Sequence, residues 1–224
     1  MDDVAKASSP DTPPEELRAI ADRSTHHLMR ARIARNPSTP LDVLTDYAAA
    51  SDVYLRVDVA HNSSLSPRLL RRLTRDPHRA VRAVIAGRPD TTARQLYKYA
   101  HDREAVVRSA VAEATDDAAL LGRLAHDNDI GVRHTVGANP ATSVEVLRRL
   151  ARDPSSVPRN GVAKNPHTPT EDLRRLAKDE DRIVRLHVAW NTAAPVDVLE
   201  ALALDVDRSV AETASESLME RRRA

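Results

Sequence analysis

Residues 76–82 read DPHRAVR, and this frame of an aspartate, five residues and an arginine returns as Asp102/Arg108, Asp127/Arg133, Asp153/Arg159 and Asp179/Arg185. With the arginine as ruler, Arg30, Arg56, Arg82, Arg108, Arg133, Arg159 and Arg185 stand 26 residues apart, save one step of 25. A beat of this length marks a repeat protein, in which each unit buries its apolar face only against its neighbours. No central core is needed, and 224 residues are counted in units rather than in globular domains.

A whole unit opens at Asn165: NPHTPTEDLRRLAKDEDRIVRLHVAW. Thr168 stands where an N-cap belongs, Pro169 at the first helical position, and Glu171 where it closes a capping box. Leu173, Leu176 and Ala177 then have the i, i+3, i+4 spacing of one buried face, which predicts a first helical limb ending near Asp179. Val184, Arg185, Val188 and Ala189 predict a second limb of about two turns, stopped at Asn191. Where proline follows the asparagine, at Asn36, Asn139 and Asn165, the residue before it is driven out of the helical region.

First limbs centred on Leu17, Leu44, Leu70, Leu96, Leu121, Leu147, Leu173 and Leu199 give eight pairs. Phenylalanine is absent, and the β-branched residues follow the helical pattern rather than alternating. The expectation is an all-α solenoid of about eight two-helix repeats spanning 1–224 as one domain, with caps at 1–30 and 205–224. Four departures break the rule. Two extra residues, including His26-His27, lie between Asp22 and Arg30; Ala50 replaces an aspartate; and Ala211 ends the arginine row. Around Ala114-Thr115-Asp116-Asp117 the Asn-Pro and one residue are lost, predicting an irregular junction near 113–118.

The run from Val132-Arg133 to Asp153 follows VRxxVAxNPxTPxxxLxxLAxD, save Gly137 for the alanine and Ser143 for the second proline, and this pattern resembles the variant leucine-rich repeat family over nearly the whole chain. The resemblance implies a right-handed superhelix of alternating helices, one of them 3₁₀ in character, for which the short second limb is the candidate. That family's best-known architecture adds a cysteine cluster holding an iron–sulfur centre. This chain has no cysteine, so no such cluster, and no other cofactor, is expected. The Asp-x5-Arg turn also resembles that of HEAT repeats, which implies a ladder of the two side chains between units and a second helix on the concave face.

With 34 basic and 33 acidic residues the net charge is +1, so no overall field draws the chain to nucleic acid or an anionic membrane. No run approaches the roughly 20 apolar residues of a membrane span, and the first residues lack the apolar core of a signal peptide. Absence of cysteine fits a reducing compartment, and the expectation is a cytoplasmic protein; abundant arginine and alanine suggest a bacterial, GC-rich genome.

The Asp76/Arg82, Asp102/Arg108, Asp127/Arg133, Asp153/Arg159 and Asp179/Arg185 rows read as a structural spine, because a planar guanidinium can bridge carboxylates and carbonyls of adjacent turns. Ligand contacts are sought where the repeat varies. A helical wheel of the second limb leaves the positions one and five after the arginine most exposed. The partner-binding candidates on these rows and their flank are Arg35, His61, Glu113, His134, Lys164, His187 and Trp190, with Trp190 either an exposed interface anchor or an end-of-array side chain folded onto its neighbours. An alternative is a phosphate-tracking stripe on the first limbs at Arg71, Arg72, Arg148, Arg149, Arg174 and Arg175. Acids that open these helices and bases that close them, such as Glu171 and Arg175, favour a solvated face instead. The nine histidines show no metal-ligand spacing, glycine totals five, and no metal or catalytic residue is expected. The sequence points to a non-enzymatic scaffold for a protein or peptide, with nucleic-acid binding second and a HEAT-like DNA glycosylase a weaker third.

Overall fold

The computed structural model describes residues 3–223, which contain seventeen helices and no strand. They fall into two compact units, Met1–Tyr99 and Ala100–Ala224. The first holds α1 (Asp3–Ser8), α2 (Pro14–Arg23), α3 (His27–Arg35), α4 (Leu41–Ala49), α5 (Val53–Ala60), α6 (Pro67–Leu73), α7 (Arg79–Ala86) and α8 (Ala93–Tyr99). The second holds α9 (Ala105–Ala114), α10 (Ala118–Leu124), α11 (Ile130–Ala138), α12 (Val144–Leu150), α13 (Ser156–Lys164), α14 (Thr170–Leu176), α15 (Arg182–Trp190), α16 (Val196–Leu202) and α17 (Arg208–Arg223). Even-numbered helices are first limbs and odd-numbered ones second limbs, as an α-solenoid requires.

Each limb turns its periodic apolar residues inward. In the first unit Leu17, Ile20, Ile33, Leu44, Leu73 and Ile85 are fully buried; in the second, Leu120, Leu121, Leu147, Leu150, Leu173 and Leu176 are. Each such side chain contributes roughly 2 kcal/mol on leaving water. Val184, Val188 and Ala189 are likewise sealed, as the spacing predicts.

Two local expectations are corrected. The 3₁₀ character assigned to the second limb is not found: α3, α5, α7, α9, α11, α13 and α15 are α-helical and 8–10 residues long. The shorter limbs are the first ones, seven residues from α6 onward. Nor does Thr168 close a capping box. Pro169, extended at ψ 142°, is the N-cap, and Thr168 is buried with its hydroxyl donating 2.6 Å back to the Val162 carbonyl. Thr39, Thr91 and Thr142 do the same to Ile33, Ile85 and Val136, fastening each loop to the second limb before it.

The spine forms between consecutive repeats. Arg56 reaches the carboxylate of Asp76 through Nε and Nη2 at 2.8 and 3.1 Å, while its Nη1 donates to the Ala50 and Ser51 carbonyls. Arg82 donates to the Asp76 and Pro77 carbonyls. In the second unit Arg108, Arg133, Arg159 and Arg185 take Asp127, Asp153, Asp179 and Asp205 bidentately, and Asp102 offers its carbonyl to Arg108. Where Ala50 breaks the aspartate row, Arg30 lies over the Tyr47 ring instead, 4.8 Å from its centroid, so a cation–π contact replaces the ion pair.

A second ladder runs through the asparagines, beyond their role as helix stops. Asn165 donates from Nδ2 to the Gly137 and Asn139 carbonyls at 2.9 and 2.7 Å, and its Oδ1 accepts from the His167 amide. Asn36, Asn62, Asn139 and Asn191 repeat the arrangement. Arg88 substitutes for one of them, donating to Ala60 and Asn62, and Ser217 for another, donating to Ala189. The ladder identifies α1 as a lone second limb: Asn36 grips Ala7 and Ser9 as Asn62 grips Ala34 and Asn36.

Candidate functional site

Second limbs pack side by side within each unit, α3 on α5 and α5 on α7, then α9 on α11, α11 on α13 and α13 on α15. Each therefore covers the middle of its neighbour. This corrects the helical wheel: the positions one after the arginine, Ala31, Val57, Ser109, His134, Asn160 and Leu186, are half-buried, because a wheel drawn for an isolated helix omits the adjacent limb. The row five after it stays open at Arg35, His61, Glu113, Lys164 and Trp190.

The second open row lies two before the arginine. It is seven residues from the other, two turns along the same helix side. Leu28 and Tyr54 in the first unit are 55% and 82% exposed, and Val106 and Val157 in the second 48% and 38%. At these four repeats an apolar side chain stands open on the side that carries the polar row, while Ala80, Gly131 and Ile183 at the same position are half-buried. The open residues share a repeat position, but the rule that periodic apolar residues are buried hid them from sequence reasoning.

In the first unit, Arg35 Nε donates to the buried Asp58 carboxylate at 2.7 Å. Burial, and then the Arg35 charge, hold the His61 imidazole below its ordinary pKa. In the second unit, His134 meets the Val157 carbonyl through Nδ1 at 2.8 Å. His187 is half-buried, bound to the Ile183 carbonyl through Nδ1 at 2.8 Å, and set edge-on to Trp190 with ring centroids 5.3 Å apart. Burial lowers the His187 pKa, and the Lys164 and His134 charges add to the effect. Trp190 is 57% exposed. Glu113 is exposed at the end of α9.

Most of the first-limb arginines are drawn into bonds within their own unit. Arg72 donates to the Ala48 carbonyl at 3.2 Å, Arg149 to the Ala125 carbonyl, Arg174 to Asp197 and Arg175 to Asp172. Arg71 and Arg148 are exposed. Among the described residues no three histidine, aspartate or glutamate side chains come together as a metal site. Among the described residues no helix is long and apolar enough to cross a membrane.

Residues 130–155 match the family profile described as leucine rich repeat variant. Among solved structures the chain is similar to a leucine-rich repeat variant with a novel repetitive structural motif, at 29% identity and a TM-score of 0.58, over 90% of this chain and 80% of that one. An engineered protein aligns over 99% of this chain and 73% of its own, with 18% identity and a TM-score of 0.40. No curated protein matches. The resemblance read from Val132 to Asp153 is thus matched by the family profile over that one repeat and by the similarity to the leucine-rich repeat variant structure over most of the chain.

Proposed function

We propose that this array of variant leucine-rich repeats is a non-enzymatic scaffold that holds a protein or peptide on the open face of its second limbs. One observation supports this above the others: Leu28 and Tyr54 in the first unit, and Val106, Val157 and Trp190 in the second, stand open on their limbs, whereas the apolar residues three after the arginine, Ile33, Val59, Val111, Val162 and Val188, are sealed. Apolar and aromatic side chains beside a polar row have the make-up of an interface centre and rim. Arg35, His61, Glu113, His134, Lys164 and His187 supply that polar part.

Nucleic-acid binding through the first limbs is less favoured, because Arg72, Arg149, Arg174 and Arg175 already meet acceptors in neighbouring turns. Affinity capture from the native host, with wild type and with a Val106→Asp/Trp190→Ala variant, tests the reading. A protein retained by the first and lost by the second is expected. Retention of nucleic acid alone, abolished by nuclease and weakened steeply by salt, overturns it.

A further inference from the structure

Between α3 and α5 the open face deepens into a groove of about 680 Å³, within the size range of ligand-binding clefts. Leu28, Ala31, Tyr54 and Leu55 supply its apolar wall. Three guanidiniums, Arg30, Arg32 and Arg35, surround that wall, with Asp52 and Asp58 as the acids. Both carboxylates are engaged inside the protein: Asp58 accepts from Arg35, and Asp52 caps α5 by accepting from the Tyr54 and Leu55 amides.

The arginines are far less used. Arg32 gives one hydrogen bond, to Ser8 at 3.0 Å, Arg35 gives one to Asp58, and Arg30 rests on the Tyr47 ring. A guanidinium carries five N–H donors in a fixed fork, so each retains donors suited to a carboxylate. Tyr54 stands at the mouth almost fully exposed, an amphipathic aromatic of the kind that anchors interfaces.

We infer that this groove is a docking site for an acidic peptide segment, one large apolar side chain entering against Leu28 and Tyr54 while flanking carboxylates meet Arg30, Arg32 and Arg35. The inference rests on the scaffold reading and adds to it, for the first unit, one partner chemistry and one place. The positive excess at the rim decides for acidic over basic segments. The apolar wall decides for a peptide over a bare polyanion, which offers carboxylates or phosphates but nothing to fill the floor.

A random peptide library displayed on phage is panned against the full chain, and the selected peptides, fluorescently labelled, are titrated by anisotropy. The expected sequences place a leucine- or phenylalanine-sized residue among aspartates and glutamates. Tyr54→Ala and Arg32→Glu, both at exposed positions, each weaken binding about tenfold or more, and Trp190→Ala leaves it unchanged. Circular dichroism melting confirms that the variants remain folded. Peptides that are basic or neutral, or that bind Tyr54→Ala and Arg32→Glu as tightly as wild type, overturn the inference. Loss with Trp190→Ala but not Tyr54→Ala overturns the groove and keeps the scaffold. A library that yields no binder also removes the groove, leaving the scaffold to the capture experiment. Equal competition by a single-stranded oligonucleotide overturns the peptide assignment in favour of a general anion site.

Discussion

The guanidinium of Arg108 lies along the carboxylate of Asp127 with two parallel bonds, Nε to Oδ2 at 2.6 Å and Nη2 to Oδ1 at 2.8 Å. Its remaining edge donates from Nη1 to the Asp102 and Arg103 carbonyls. One side chain thus ties its own turn to that of the next repeat, at 17% exposure for the arginine and 9% for the aspartate. Arg108→Ala strips Asp127 of its partner and leaves two carbonyls with fewer donors. The expected loss is about 3–5 kcal/mol, read from the denaturant midpoint. An unchanged midpoint contradicts the role.

Asn165 carries a comparable load with a neutral group. It is fully buried, and its carboxamide makes three bonds to backbone groups in two adjacent repeats. Asn165→Ala leaves buried carbonyls and an amide unmet, at about 1–3 kcal/mol for each buried group left without a partner. Asn165→Asp tests the polarity of the arrangement: a carboxylate accepts from His167 but cannot donate to Gly137 and Asn139. Both variants are expected to melt well below wild type.

Acid should unravel the spine. Burial opposes the charge of Asp76, Asp127 and Asp153, yet the arginine hydrogen bonds and turn amides prevail and hold each carboxyl below its usual value. At Asp205 the Arg185 bond leads in the same direction. A depressed folded pKa means that the unfolded chain binds protons first. The contribution is therefore fully present above about pH 5, and it is lost as pH falls through the ordinary aspartate range and on through the lower folded values. Urea midpoints should fall steeply below about pH 4. The slope should flatten in Asp127→Asn, which cannot titrate.

Gly161 on α13 is where two second limbs come closest. A Cβ there collides with the His134 carbonyl oxygen, and one on Gly137 comes within 3.0 Å of the Val162 amide nitrogen. Helices α11 and α13 therefore meet backbone to backbone. Gly161→Ala must push them apart, at about 1–3 kcal/mol or more. Gly87→Ala meets only ordinary contacts, the nearest at 3.6 Å, and is expected to be neutral or slightly stabilising. Thermal melts of the pair check the contrast.

What repeats as a side-chain type was legible in the sequence: the arginine ruler, the buried Val184, Val188 and Ala189 positions, and the eight limb pairs. The asparagine ladder was visible only as a set of helix stops. Its partners are backbone carbonyls, and a carbonyl leaves no residue type to correlate with. Thr168 misled for a related reason: its hydroxyl had a choice between capping forward and bonding back to Val162, and packing of the loop decided. The open apolar row at Leu28, Tyr54, Val106 and Val157 depends on which part of a helix its neighbour covers, a relation absent from any one helix read alone.

Trp190 reports on the open limbs of the second unit, because it is the sole tryptophan and lies beside a histidine whose pKa burial lowers. At 57% exposure its emission should be red-shifted and strongly quenched by iodide in the free protein. His187 is then neutral at pH 7. As pH falls, its imidazolium forms below the ordinary histidine value of about 6.5, 5.3 Å from the indole, and quenches it. Fluorescence against pH should therefore show one step with a midpoint below that value. His187→Ala removes the step but not the iodide sensitivity. A blue, iodide-protected emission removes Trp190 from the interface, while a step that survives in His187→Ala assigns the titration to another group. If a bound partner covers Trp190, both the iodide sensitivity and the step shift together, which separates docking on the second unit from docking in the groove between α3 and α5.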